Sequence, residues 1–311
     1  MTLVADPVAS PPPRGVISDF ETEFAALRRR SRITWAVGTA IFLVLFVLSS
    51  WLGDFFKVTQ VSMPDGSREW RWIIPAGIPR LGEYISKTIP DLNWATLGED
   101  LANWFWRWRV WMNLLVETIL IAFMATVFGV IGGFVMSFPA SRNLAPNKWV
   151  LWFSRRYLEI ARTVPELVWA LIFVFCFSVG PLAGVLAIGL HAAGALGKLY
   201  SEVNENIDMR PLEGVKAAGG TWFDQIRYGA VPQVLPNIIS HTLLRFEINV
   251  RASSIIGHVG EGGLGQDFRT AMSLQAHTDH SALFIILLVI VIVVDYGSDK
   301  PRHRVVGIEA Y

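Results

Sequence analysis

One cysteine, Cys176, occurs in 311 residues. It leaves no partner for an intrachain disulfide and, inside an apolar run, reads as a packing residue. Charge is scarce: Asp, Glu, Lys and Arg make up 17% of the chain against 52% hydrophobic residues. That balance is too apolar for a soluble domain of this length. The first 30 residues hold Asp6, Asp19, Glu21 and Glu23 and no apolar core, so no cleavable signal peptide is expected. The alternation a β-barrel needs is missing, and so is any fixed-period repeat. An all-α architecture remains. No nucleophile with a base and an orienting group can be assembled, so neither a catalytic residue nor a resident cofactor is expected.

What fills the chain is apolar helix. A span needs about 20 mostly apolar residues to cross roughly 30 Å of hydrocarbon. About six stretches qualify: 33–52, 114–138, 163–179, 182–199, 235–256 and 281–296. The third and fourth are separated only by Gly180-Pro181, a helix-breaking pair that predicts an antiparallel hairpin of helices.

Lys and Arg collect on the cytoplasmic side of membrane proteins. With both termini inside, 17 of the 27 fall in inner segments and 8 outside, 7 of them in the long segment 53–113. The expected organisation is a cytoplasmic tail 1–32, a first transmembrane helix 33–52 and an extracytoplasmic segment 53–113. A core 114–296 follows, with a cytoplasmic loop 201–236, and then a cytoplasmic tail 297–311. In the first tail, Pro11-Pro-Pro13 favours disorder, and Ser18-Asp-Phe-Glu21 is a capping box for a short helix. Phe20, Phe24 and Leu27 would share one face of it. The arginines at 28–30 and 32 would draw it to anionic headgroups, or serve only as the inner flank of the span. Trp104, Trp106, Trp108 and Trp111 surround Arg107 and Arg109 like an interfacial aromatic belt.

The loop 201–236 is polar between two apolar stretches. It contains Glu213-Gly-Val-Lys-Ala217-Ala218-Gly219-Gly220 and, further on, Pro232. The glycines supply a joint between two short helices. Glu213, Gly219 and Pro232 resemble the motif by which permeases of bacterial ABC importers engage their ATPases: Glu-Ala-Ala, three residues, Gly, nine residues, Ile, any residue, Leu-Pro. Gly214, Val215, Gly229 and Val231 depart from it.

Three runs after Glu213 are similar to permeases of phosphonate importers: 227–236, 244–257 (Leu-Arg-Phe-Glu-Ile-Asn-Val-Arg-Ala-Ser-Ser-Ile-Ile-Gly) and 259–265. So are Ser141-Arg-Asn-Leu144, the run 164–174 and the run 180–187, so the likeness covers about residues 112–296. The resemblance implies a MetI-like helical bundle in a bacterial plasma membrane and a second copy of the chain forming a homodimeric pore. It also implies two cytoplasmic ATPase subunits holding ATP and magnesium, and an extracytoplasmic binding protein delivering phosphonate, phosphite or phosphate. Nucleic acid has no part in it.

Within the fifth span lie Arg245, Glu247, Asn249 and Arg251. Each charge there costs about 3 kcal/mol on insertion scales, an expense that marks a pathway or a buried pair. Glu247 and Arg251 are four apart and can pair along one helix face. An arginine fork suits a phosphorus oxyanion, so Arg245 or Arg251 is expected to line the anion's route, the rival role being helix pairing across the dimer. Gly260-Glu-Gly262-Gly263-Leu-Gly265 satisfies a dinucleotide fingerprint formally but lacks the strand, helix and ribose-binding acid around it. Outside the membrane these glycines would form a gate or a docking turn for the binding protein.

The run 192–199 falls short of a phosphate-binding loop, with Ala192 for the first glycine and Leu199 for the Ser or Thr. Glu117, Glu166, His191, His241 and Asp295 could each touch a permeating ligand, but capping, snorkelling near helix ends or a helix–helix hydrogen bond is the expected role for most of them. His277 and His280 beside Asp279 do not amount to a metal site. Two alternatives stay open: a permease for methionine or another small solute, and a membrane-embedded enzyme acting on phosphorylated lipid.

Overall fold

The structure, a computed structural model, describes residues 14–53, 58–62, 68–257 and 262–307. The chain divides into two compact units, residues 1–84 and 85–311.

In the first unit, α1 (Arg14–Leu52) is a continuous helix of 39 residues. Its part Ser31–Leu52 is long and apolar enough to cross a membrane, and Trp35, Phe42 and Val44 stand exposed on it, as lipid-facing side chains would. The separate short helix expected from Ser18 does not exist, because α1 starts four residues earlier and runs through the capping box without a break. The proline run at 11–13 lies outside the described residues. β1 (Val58–Ser62) and β2 (Arg68–Trp72) form an antiparallel hairpin with Val58 opposite Trp72 and Ser62 opposite Arg68. Among the described residues this hairpin is the only departure from helix and turns; its β-branched and aromatic residues fit a pleated ladder, in strands too short to show as an alternating pattern. α2 (Ile73–Thr88) crosses the division between the units.

The second unit is helical among its described residues: α3 (Leu97–Trp104), α4 (Trp108–Ala140), α5 (Lys148–Thr163), α6 (Glu166–Phe177), α7 (Pro181–Glu205), α8 (Arg210–Ala217), the single turn α9 (Trp222–Asp224), a π-helical turn (Gln225–Ala230), α10 (Val231–Ile256), α11 (Gly263–Ser273) and α12 (His277–Gly307). α4, α7 and the His277–Asp299 part of α12 join α1 as helices long and apolar enough to span. α5 and α6 meet at 92° and make a fifth if counted together as one broken span. Among the described residues four to five helices thus pass by length and composition, where about six spans were expected. The expected third span is largely the 12-residue α6, about 18 Å at 1.5 Å per residue, which cannot cross alone. Pro165 forms the break, since a proline disfavours helical backbone at the residue before it, and Val164 is extended at φ −70°, ψ 123°. The expected fifth span is fully helical as α10, yet its three charges keep it from the apolarity of the others.

Small residues let α4 and α7 approach closely, the usual means of helix packing in lipid. A β-carbon on Gly129 would stand 2.6 Å from the Ala192 methyl, and one on Gly133 would stand 2.9 Å from the Gly197 nitrogen. Ala192, Ala193, Gly194, Leu196 and Gly197 of the 192–199 run are therefore buried packing residues of α7. Ile121, Ala125, Ala170, Ala187, Ile188 and Ile256 join α4, α6, α7 and α10 in one buried cluster. Trp111, Leu115, Leu264, Phe268 and Leu283 join α4, α11 and α12 in another.

Two expectations are corrected here. Trp111 is fully buried and donates its indole N–H to Asp267 at 3.1 Å, so it is a core residue rather than part of an interfacial belt; Trp104 likewise donates to the Thr278 carbonyl and to Ser281. Cys176 is exposed on α6, because the apolar run around it faces outward rather than into the core.

Candidate functional site

Two regions gather the functional candidates. The first follows α7. Glu213, Ala217, Ala218 and Gly219 are exposed on and just after α8, while Leu212 behind them is buried. Gly219 has φ +87°, a left-handed conformation that glycine adopts freely. Gly220 then packs against Val215, where a β-carbon would meet Val215 Cγ1 at 2.6 Å. The chain restarts at Thr221 with a capping box: the Thr221 hydroxyl and backbone N–H donate to Asp224 at 2.6 and 2.8 Å. Those donors, the hydroxyl first, hold the Asp224 carboxyl below the usual carboxylate range. Two short helical pieces joined at a glycine are thus present. Phe223 and Tyr228 stand exposed on the second, and Pro232 begins α10 beyond it.

This loop is fastened to the ends of the long helices. Trp222 donates its indole N–H to the Leu144 carbonyl at 2.7 Å. Asn143 donates to the Asn204 carbonyl at the end of α7 at 2.8 Å. Arg155 of α5 pairs with Glu205 and donates to the Ala140 carbonyl. Trp222 escaped sequence reasoning, and Asn143, although inside the Ser141–Leu144 run, was given no role there.

The second region lies on α10 about half-way along α4, where the buried Asn249 donates to Thr126 at 2.9 Å. One turn away, Arg245 is 9% exposed and bonds the Nδ1 of His191 at 2.8 Å, while its Nε is buried without a partner. Arg251 lies apart from it, neutralised by Glu247 and by Asp295 of α12 at 3.3 Å. The spacing of Glu247 and Arg251 predicts their pair; Asp295 as a third member comes from a contact 44 residues away. Glu166, the first residue of α6, stands 3.5 Å from His191 of α7, which in turn bonds Arg245.

The glycine run opens α11. Gly262 and Gly263 have φ +95° and +67°. Gly263 and Gly265 are buried, Gly265 against Gly257 at the end of α10 and Gly263 against Thr118 of α4. Gly260 lies outside the described residues. Near them Arg107 pairs with Asp267 at 3.3 Å, and Trp106 donates to Asp279 at 3.0 Å.

Residues 125–296 match the family described as binding-protein-dependent transport system inner membrane component. The chain belongs to that family. It is a multi-pass membrane permease and not an enzyme, which removes the lipid-modifying alternative. The permease is 36% identical over 211 residues to the phosphite transport system permease protein PtxC of Stutzerimonas stutzeri, covering 68% of this chain and 77% of that one. It is 30% identical over 236 residues to the phosphate-import permease protein PhnE of Mycolicibacterium smegmatis, covering 76% of this chain and 41% of that one. Its fold is similar to a chain of the inward-facing MetNI methionine ABC transporter, with a TM-score of 0.54 and 19% identity over 63% of this chain and 95% of that one. At that identity the likeness speaks for the MetI-like fold and not for methionine.

Proposed function

We propose that the permease carries phosphite, phosphonate or phosphate across a bacterial plasma membrane by alternating access, driven by partner ATPase subunits. The observation that carries the substrate class is the alignment of two relatives, named for phosphite and for phosphate, over two thirds or more of this chain. A buried arginine of α10, in no direct ion pair among the described residues, is the electrostatic feature an anion pathway needs.

On this reading both termini and the loop around Glu213 face the cytosol, and 53–113 lies outside. Glu213, Ala217, Ala218, Gly219, Gly220 and Pro232 engage an ATPase, which binds the ATP and magnesium. ATPase closure then moves α8 and α9 and, through Trp222 and Asn143, the ends of α4 and α7. Arg245 and Asn249 face the route, with Glu247 and Arg251 as their neutralised neighbours. Gly260, Gly262, Gly263 and Gly265 form the hinge of an outer turn on which an extracytoplasmic binding protein docks, and a second copy of the chain completes the pore.

The test uses cells stripped of their own phosphorus uptake systems and given this chain with the ATPase and binding protein of a phosphite importer. Growth on phosphite, phosphonate or phosphate as sole phosphorus source, with the ATPase copurifying, is the expected result. Absence of both growth and copurification would refute the reading.

A further inference from the structure

Arg245, His191 and Glu166 come from three helices and meet at the break between α5 and α6. The Arg245 guanidinium is permanently charged and carries five N–H donors. It gives one to His191 Nδ1 at 2.8 Å, and its Nε–H is buried with no acceptor. With Nδ1 accepting, the His191 ring is neutral and carries its proton on Nε2, which donates to the Arg162 carbonyl in the last turn of α5 at 3.1 Å. Glu166 Oε2 then stands 3.5 Å from a ring nitrogen that has no proton to share. No hydrogen-bond donor reaches this carboxylate among the described residues.

The ledger of the cluster is therefore uneven. One cation holds unfilled donors, and one carboxylate stands nearby without being fastened. Glu166, with a side chain 29% exposed, is the most accessible member of the cluster, and Arg245, at 9%, the least. A buried pair built for stability shows the opposite pattern, a carboxylate locked by two or three donors. By contrast the half-exposed Arg251 has its charge answered directly by two carboxylates, Glu247 and Asp295. The edge of a guanidinium formed by Nε and an adjacent amino group grips two oxygens of one oxyanion at once.

We propose that Arg245 is the mid-membrane station for the transported oxyanion, and that Glu166 is a built-in counter-ion which the oxyanion displaces. This rests on the function proposed above and goes beyond it by naming the residue that competes with substrate. With the station empty, Glu166 screens the cation and keeps the site closed. When the oxyanion arrives, two of its oxygens take the Nε edge and Glu166 swings away at the α5–α6 break. The return of Glu166 expels the oxyanion, so passage needs no strong, slow-releasing site. Gly194 of α7 permits this packing, because a β-carbon there would meet the Arg162 nitrogen at 2.6 Å.

The test is equilibrium binding of radiolabelled inorganic phosphate to the full-length permease in lipid nanodiscs. Glu166→Gln is expected to bind phosphate at least tenfold more tightly than wild type, since the competing charge is gone while shape is kept. Glu166→Asp should bind like wild type. Glu166→Gln/Arg245→Lys should lose the gain, because a point charge cannot grip two oxygens. In cells, Glu166→Gln should slow maximal uptake at least fivefold through delayed release. Equal or weaker binding by Glu166→Gln, or tight binding that survives Arg245→Lys, overturns the proposal. Uptake by wild type without this nanodisc pattern defeats the station alone; the pattern without uptake of any phosphorus oxyanion defeats the transport reading instead.

Discussion

The Trp222 indole N–H donates to the Leu144 carbonyl at 2.7 Å, tying the turn after Gly219 to the loop between α4 and α5. That loop is held to α7 through Asn143 and the Asn204 carbonyl. A push on α9 therefore reaches the ends of two long helices through hydrogen bonds, without any element needing to unfold. Trp222→Phe keeps an aromatic ring among Phe138, Leu144 and Ile226 and removes only the donor, a loss of about 1 kcal/mol. The permease should still assemble with its ATPase, while transport per ATP hydrolysed falls several-fold in proteoliposomes. An unchanged ratio would show that force travels by another path.

Close packing of α4 on α7 gives a second expectation. Gly129→Ala places a methyl 2.6 Å from the Ala192 β-carbon, on a rigid helix that cannot turn aside. Overpacking of this kind costs about 1–3 kcal/mol. Gly38→Ala on α1, where nothing lies within 4 Å of the added atom, should be neutral or gain up to about 1 kcal/mol from helix propensity. Size-exclusion profiles after heating in detergent separate the two: the first variant loses its monodisperse peak at a lower temperature than wild type, and the second does not.

These particulars show where the sequence was readable. The helices, the glycine joint at Gly219 and the Glu247–Arg251 pair all follow from contacts within a few residues, which composition and spacing encode. The break at Val164-Pro165 was written in the proline, but the apolar run around it carried the expectation of a single span. The Arg245–His191 contact joins residues 54 apart, and the Trp111–Asp267 bond joins residues 156 apart. Both depend on the register in which helices pack, which no local pattern carries. Trp104 and Trp111 misled for the same reason: beside arginines they match a membrane belt, and only the fold reveals their acceptors on α12 and α11.

Arg251 sits between two carboxylates, Glu247 and Asp295. Arg251→Gln leaves these like charges facing each other. Arg251 and Asp295 are about half exposed, so the expected loss is about 1 kcal/mol rather than the several of a fully buried pair. Adding Glu247→Gln and Asp295→Asn should restore the thermal midpoint of the detergent-solubilised protein. Failure of the triple variant to recover would mean that Arg251 has a partner beyond this trio, such as the second copy of the chain.

The start of α11 depends on Thr118 of α4. Its hydroxyl donates to the Leu114 carbonyl at 2.8 Å and accepts the Leu264 N–H at 2.9 Å, while Gly263, at φ +67°, lies directly over it. Leu264 is fully buried, so its N–H has no water to fall back on. Thr118→Val keeps the shape and removes the acceptor, stranding that donor at a cost of about 1–3 kcal/mol. Thr118→Ser keeps the hydroxyl and should lie close to wild type. Gly263→Ala should be worse than either, since it combines a backbone that side chains rarely adopt with a collision against Thr118. Thermal midpoints in the order Ser, Val, then Ala at 263 are the expected outcome. Equal midpoints for the Ser and Val variants would show that the α11 turn is held by apolar packing around Leu264 and Phe268 and not by this hydrogen bond.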